Sequence, residues 1–221
     1  MTNARSTPLH RTILAVDIEG STGSTDPVKA RLRAALYELL ESALLAAGID
    51  RRHHDPLIDR GDGALTLIRP VDRAPKTVLL DTVVPALGRL LAGHNARRPA
   101  DRFRLRAVVH AGEVLYDGRG CFGESLDVAF RLLDDERVKR ALRRSREPLV
   151  LVTSDDIYRS IIRHGYEGID PDTYAPCVRL EVGGRTHQGW LRTTGTVTAV
   201  KPRERAVMAP VISLDGYRRH A

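Results

Sequence analysis

The chain has 221 residues, with 42% apolar and 29% charged side chains. That length suits one large domain or two small ones burying about 70% of the unfolded surface, and the apolar content excludes global disorder. No run approaches the ~20 apolar residues of a membrane span, and the polar Met1–Arg11 stretch has no apolar signal region, so a cytosolic (cytoplasmic) protein without membrane partners is expected.

The net charge of +7 has two sources. After Thr193, Lys201, Arg203, Arg205, Arg218 and Arg219 outweigh Glu204 and Asp215, in a basic tail without a clear element. Arg137, Lys139, Arg140, Arg143, Arg144 and Arg146 form a second run without an acid. No aromatic residues interleave with that run, so it reads as a solvated helix face and nucleic acid is not the expected partner. Cys121 and Cys177 fit free thiols in a reducing compartment.

Thr12–Ile18 is a short apolar run that reads as a buried strand, followed by Gly20-Ser21-Thr22. Asp26-Pro27 starts a helix, Leu32, Leu36, Leu39, Leu40 and Ala43 recur on one face, and Gly48 stops it. Leu57-Ile58 and Leu65–Ile68 flank Asp59-Arg60-Gly61-Asp62-Gly63, the signature of a hairpin. A helical stretch follows over Pro75–His94, which Pro85 should kink or divide. Phe103–Tyr116 alternates as a long strand, and Gly123–Leu133 and Glu136–Arg144 are helical. Leu149–Val152 is a further buried strand, Ser154 caps a helix ending near Gly165, and Val178–Val182 with Thr186–Leu191 form a last hairpin. The order predicts an α+β fold, a ferredoxin-like or palm-type mixed sheet with helices on one face. The expected organisation is an N-terminal segment (1–11), one catalytic domain (12–192) and the basic tail (193–221).

Asp17 closes the first strand and Asp62 sits in the next hairpin. If those strands are neighbours the two carboxylates converge, and they repel unless a cation lies between them. Hard oxygen ligands suit Mg2+ or Mn2+, two such ions form the usual clamp for displacement at phosphorus, and the Gly20, Ser21 and Thr22 amides and hydroxyls could cradle phosphates. Taken singly, Asp17 reads as capping a loop and Asp62 as supporting a turn; together with the Gly-Ser-Thr loop they point to a phosphoryl-transfer site.

The segments Ala15-Val16-Asp17-Ile18-Glu19-Gly20-Ser21-Thr22 and Arg60-Gly61-Asp62-Gly63 resemble the class III nucleotidyl cyclases. Leu105–Val114 is similar to that family's long central strand, and Gly123–Leu132 to its helix carrying an asparagine and an arginine. The resemblance implies a head-to-tail homodimer that converts a nucleoside triphosphate into a 3′,5′-cyclic mononucleotide and pyrophosphate. It implies that Asp17, Asp62 and the Ile18 carbonyl hold two metal ions, that Arg131 of the opposite subunit stabilises the α-phosphate, and that Arg185 holds terminal phosphates. The family's asparagine is Asp127 here, which accepts a ribose hydroxyl or instead pairs with Arg131 at i,i+4. The two base-reading positions of purine cyclases are Ile58 and Gly120, neither of which can make the expected polar contact to adenine. Bacterial pyrimidine cyclases of anti-phage (antiviral) signalling also depart from the purine pattern, so UTP or CTP is an expected substrate. The alternative is a catalytically degenerate cyclase-homology dimer that binds nucleotide and regulates a partner. His110 is expected to be a packed core histidine.

Overall fold

A computed structural model describes residues 7–192; the basic tail and the first six residues lie outside this span. The elements run β1 (Leu9–Ile18), α1 (Asp26–Ala46), β2 (Ile58–Asp59), β3 (Gly63–Ile68), α2 (Lys76–Val78), α3 (Val84–Arg97), β4 (Leu105–Tyr116), β5 (Cys121–Phe122), α4 (Glu124–Asp134), α5 (Glu136–Arg144), β6 (Leu149–Ser154), α6 (Asp155–Ser160), β7 (Tyr174–Val182) and β8 (Arg185–Arg192). The strands order as β2-β3-β1-β4-β6-β8-β7, with β5 pairing off β4. The sheet is mixed, because β4 and β6 run parallel while the other pairs are antiparallel. Among the described residues no helix is long and apolar enough to cross a membrane.

The expected single helical layer is corrected by two. Leu14, Val16 and Ile18 face α1, α3 and α6, packing with Leu36, Leu40, Leu87 and Ile157. Ile13 and Ala15 face the opposite way, onto Leu126, Ala129 and Leu132 of α4 and Val138 and Leu142 of α5. Successive side chains of a strand point to opposite faces, so an uninterrupted apolar run such as Thr12–Val16 needs cover on both. The fold remains an α+β mixed sheet.

Local chemistry explains the punctuation. Gly48 takes the left-handed φ of 72° that ends α1. Pro85 lies in the first turn of α3, directly after a π-helical turn over Leu79–Val83. Proline cannot donate to the preceding turn, and the wider π turn absorbs the interruption without ending the helix. Ser154 caps α6 by accepting from the Ile157 amide. The first strand begins at Leu9, three residues inside the segment expected to precede the domain. On α5, Lys139 pairs with Asp134 at 2.6 Å, Arg137 with Asp135 at 3.9 Å, and Arg143 with Glu136, in keeping with a solvated helix face.

Candidate active site

Antiparallel pairing of β1 with β3 sets Asp17 opposite Gly63, and the Ile18 amide donates to the Asp62 carbonyl at 3.0 Å. A Cβ on Gly63 would sit 2.4 Å from the Val16 carbonyl oxygen, so the glycine lets β3 close onto β1 beside the acids. The carboxyl groups of Asp17 and Asp62 are thereby brought close enough for each to shift the other's ionisation. The expected convergence of the two acids is present within one chain.

Their environments differ. Burial pushes the Asp17 carboxyl up to about 6, and the Asp62 charge adds to that shift while the Arg106 guanidinium opposes it. Asp62 sits below the ordinary carboxylate range: burial resists, but the hydrogen bonds from Ser21 and Asp17 prevail. The Ser21 hydroxyl donates to Asp62 from a 3-10 turn (Ser21–Gly23), which Gly20 enters at a left-handed φ of 69°. Ile18, Ser21, Thr22, Lys29, Arg33, Gly61 and Asp62 line a cleft of about 370 Å3.

Arg106 is a site residue that the sequence reading missed. It lies opposite Asp17 on β4, is 8% exposed, and binds the Asp17 carboxylate directly. Its other terminal nitrogen reaches Asp134 of α4 at 3.5 Å, and Lys139 completes the chain of charges. The clue was available: an arginine within the apolar run Leu105–Val109 is rarely buried without an acidic partner.

The other expected residues lie elsewhere and do not share one cleft. Cys121, Phe122, Glu124, Asp127, Phe130 and Gly183 contribute to a second cleft of about 400 Å3, which shares no lining residue with the first. Asp127 and Arg131 are both exposed on α4, and Arg131 donates to the Glu181 carbonyl at 3.2 Å. Among the described residues no ion pair joins Asp127 to Arg131, so the helix pair does not hold the arginine. Ile58, like Cys121 and Phe130, packs against the edge of the core under α4. Gly120 lies in the β4–β5 turn, where its amide donates to Asp117 at 2.9 Å. Arg185, exposed at the start of β8, lines a third cleft of about 700 Å3 with Glu124, Asp156 and Arg179. His110 is buried as expected, with Nδ1 2.7 Å from the Ser154 hydroxyl, and burial lowers its pKa to about 4.

No family model and no curated protein matches the chain. Solved structures do. The chain is similar to an adenylate/guanylate cyclase/hydrolase from Silicibacter pomeroyi, with 17% identity and a TM-score of 0.57 over 86% of this chain and 100% of the other. It is similar to the adenylyl cyclase CyaB from P. aeruginosa, with 14% identity and a TM-score of 0.59 over 87% and 97%. It is also similar to the guanylate cyclase domain of RhGC from Catenaria anguillulae, solved with GTP, at 16% identity and a TM-score of 0.54 over 84% and 96%. At these identities the likeness establishes architecture: the chain has the fold of the class III adenylate/guanylate cyclase catalytic domain.

Proposed function

We propose that this protein is a nucleotidyl cyclase acting on a nucleoside triphosphate as a homodimer. The observation that carries the reading is the meeting of Asp17 and Asp62 beside the Gly20-Ser21-Thr22 turn in a cyclase fold. Two carboxyls pressed together, one with its acidity suppressed, form a donor set that suits hard divalent cations. Among the described residues no group of three or more His, Cys, Asp or Glu side chains gathers for a metal, so phosphate oxygens would complete the coordination. Asp17, Asp62 and the Ile18 carbonyl would hold two Mg2+ or Mn2+ ions, which when bound acidify the ribose hydroxyl and neutralise the triphosphate.

The chain's own groups divide the remaining work. The Thr22 hydroxyl and the turn's amides orient the phosphates while the Ser21 hydroxyl holds Asp62, with Lys29 and Arg33 supplying positive charge along the same cleft. The ribose 3′-oxygen attacks the α-phosphorus, the new O–P bond closes the ring, and the bond to pyrophosphate breaks. Arg131 of the second copy donates to the α-phosphate oxygens as charge builds, Asp127 accepts from a ribose hydroxyl, and Arg185 holds the terminal phosphates. The head-to-tail dimer is supported by the separation of Asp62, Ser21 and Thr22 in one cleft from Asp127 in another that shares no lining residue with it. Ile58 and Gly120 cannot read adenine as purine cyclases do, which supports UTP or CTP as substrate and a place in anti-phage signalling.

A specific observation favours a second reading. Arg106 already pairs with Asp17, and Asp127 adds negative charge near a polyanion, as in a degenerate dimer that binds nucleotide and regulates a partner. One experiment separates them: incubate the protein with each ribonucleoside triphosphate and Mn2+, and resolve products by mass. A cyclic mononucleotide with matching pyrophosphate is expected, reduced at least about a hundredfold in Asp17→Ala and Asp62→Ala. Nucleotide binding without any cyclic product would instead select the degenerate dimer.

A further inference from the structure

We infer that Arg60 reads the base of the bound nucleotide and selects bases bearing a carbonyl oxygen over adenine. The inference rests on the cyclase reading and names the substrate class for that site. Arg60 leaves the β2–β3 hairpin just before Gly61-Asp62, yet its guanidinium carbon lies 3.3 Å from the centroid of the Phe130 ring on α4. Phe130 packs against the core under α4 and lines the cleft that holds Asp127. The Arg60 charge also reaches the Cys121 thiol in that same cleft. Ile58, at one of the two positions where purine cyclases read the base, packs against the same core cluster as Phe130, and neither it nor Gly120, at the other position, carries a polar side chain.

Stacking on a buried-edge aromatic ring fixes the plane of a guanidinium while leaving its N–H groups pointing outward around the rim. Arg60 is exposed, and among the described residues its side chain makes no ion pair or hydrogen bond. Its donors are therefore free for a ligand. A guanidinium can only donate, so it pairs with carbonyl oxygens of uracil, cytosine or guanine. Adenine has no carbonyl oxygen; its N1 and N7 accept, but each adjoins the amino group, which opposes a second donor of the guanidinium. The Glu124 and Asp127 carboxylates in the cleft can only accept, so they pair with base amino groups and leave the reading of a carbonyl oxygen to Arg60.

Binding of non-cyclisable 3′-deoxynucleoside triphosphates with Mn2+, followed by calorimetry, reads base preference without requiring turnover. The wild-type protein should bind at least one carbonyl-bearing triphosphate about tenfold or more tightly than the adenine one, as expected for a charged hydrogen bond. Arg60→Met keeps the apolar stem over Phe130 but removes the donors, and should bring all the affinities within about threefold of one another. A melting curve matching wild type verifies that the variant is folded. Preference for adenine in the wild type, or an unchanged ranking in Arg60→Met, overturns the role of Arg60 and leaves the cyclase reading intact. Failure of the wild type to bind any triphosphate overturns that reading and this inference together.

Discussion

His110 shows how far burial alone sets the behaviour of a residue. Its ring is 3% exposed and meets the Ser154 hydroxyl, so the native state keeps it neutral down to about pH 4. In the unfolded chain the same ring takes a proton near pH 6.5. Stability from this residue is thus present above about 6.5 and drains away as pH falls towards 4, because the unfolded state binds the proton first. The loss should total about 3 kcal/mol. Urea unfolding across that range should show a steeper decline for wild type than for His110→Gln, which retains a group able to meet Ser154. Parallel profiles would remove the histidine from the acid response.

Asp17 shifts in the opposite sense. Its raised pKa marks an acid whose charge the protein's own groups disfavour, because burial and Asp62 outweigh Arg106. A site arranged this way trades stability for affinity towards cations, a common feature of functional residues.

At the scale of elements, the close approach of β3 to β1 decides whether the two acids can meet. Gly63→Ala would place a methyl group against the Val16 carbonyl oxygen, and a backbone atom cannot rotate out of the way. The strands must part at that point, at a cost of about 1–3 kcal/mol by analogy with overpacked cores. Cyclase activity should fall further than stability, because the shift lands next to Asp62. Thermal melts and initial rates on the same preparation measure both; a variant with unchanged rate would show that the spacing of the acids tolerates movement.

Much of this level was readable beforehand, for physical reasons. The leucine spacing in α1 and the alternation of β4 carry their own periods, and Asp59–Gly63 carries turn chemistry. Which side of the sheet α4 occupies has no such local signal: an amphipathic helix declares an apolar face but not the surface it covers. Thr12–Val16 held the missing clue, since both its alternating faces are apolar. Arg106 was legible as an oddity in a buried strand. The stack of Arg60 on Phe130 joins residues distant in sequence through the β2–β3 hairpin and α4, and only the assembled fold brings them together.

For the whole molecule, the sheet with a helical layer on each side leaves two incomplete clefts per chain. One holds Asp62, Ser21 and Thr22, with Asp17 beside it on β1; the other holds Asp127, with Arg131 nearby on the same helix. A two-fold dimer that brings one copy's acids to the other copy's α4 would complete both sites at once, as symmetry requires of a closed pair.

Complementation tests this arrangement most directly. Asp17→Ala and Arg131→Ala proteins, each inactive alone, should regain roughly a quarter of wild-type cyclase activity when co-refolded in equal amounts. About half of the dimers are then mixed, and each mixed dimer has one of its two sites intact. A mixture that forms dimers yet stays as inactive as its components, while wild type cyclises its substrate, would contradict a site shared between two copies.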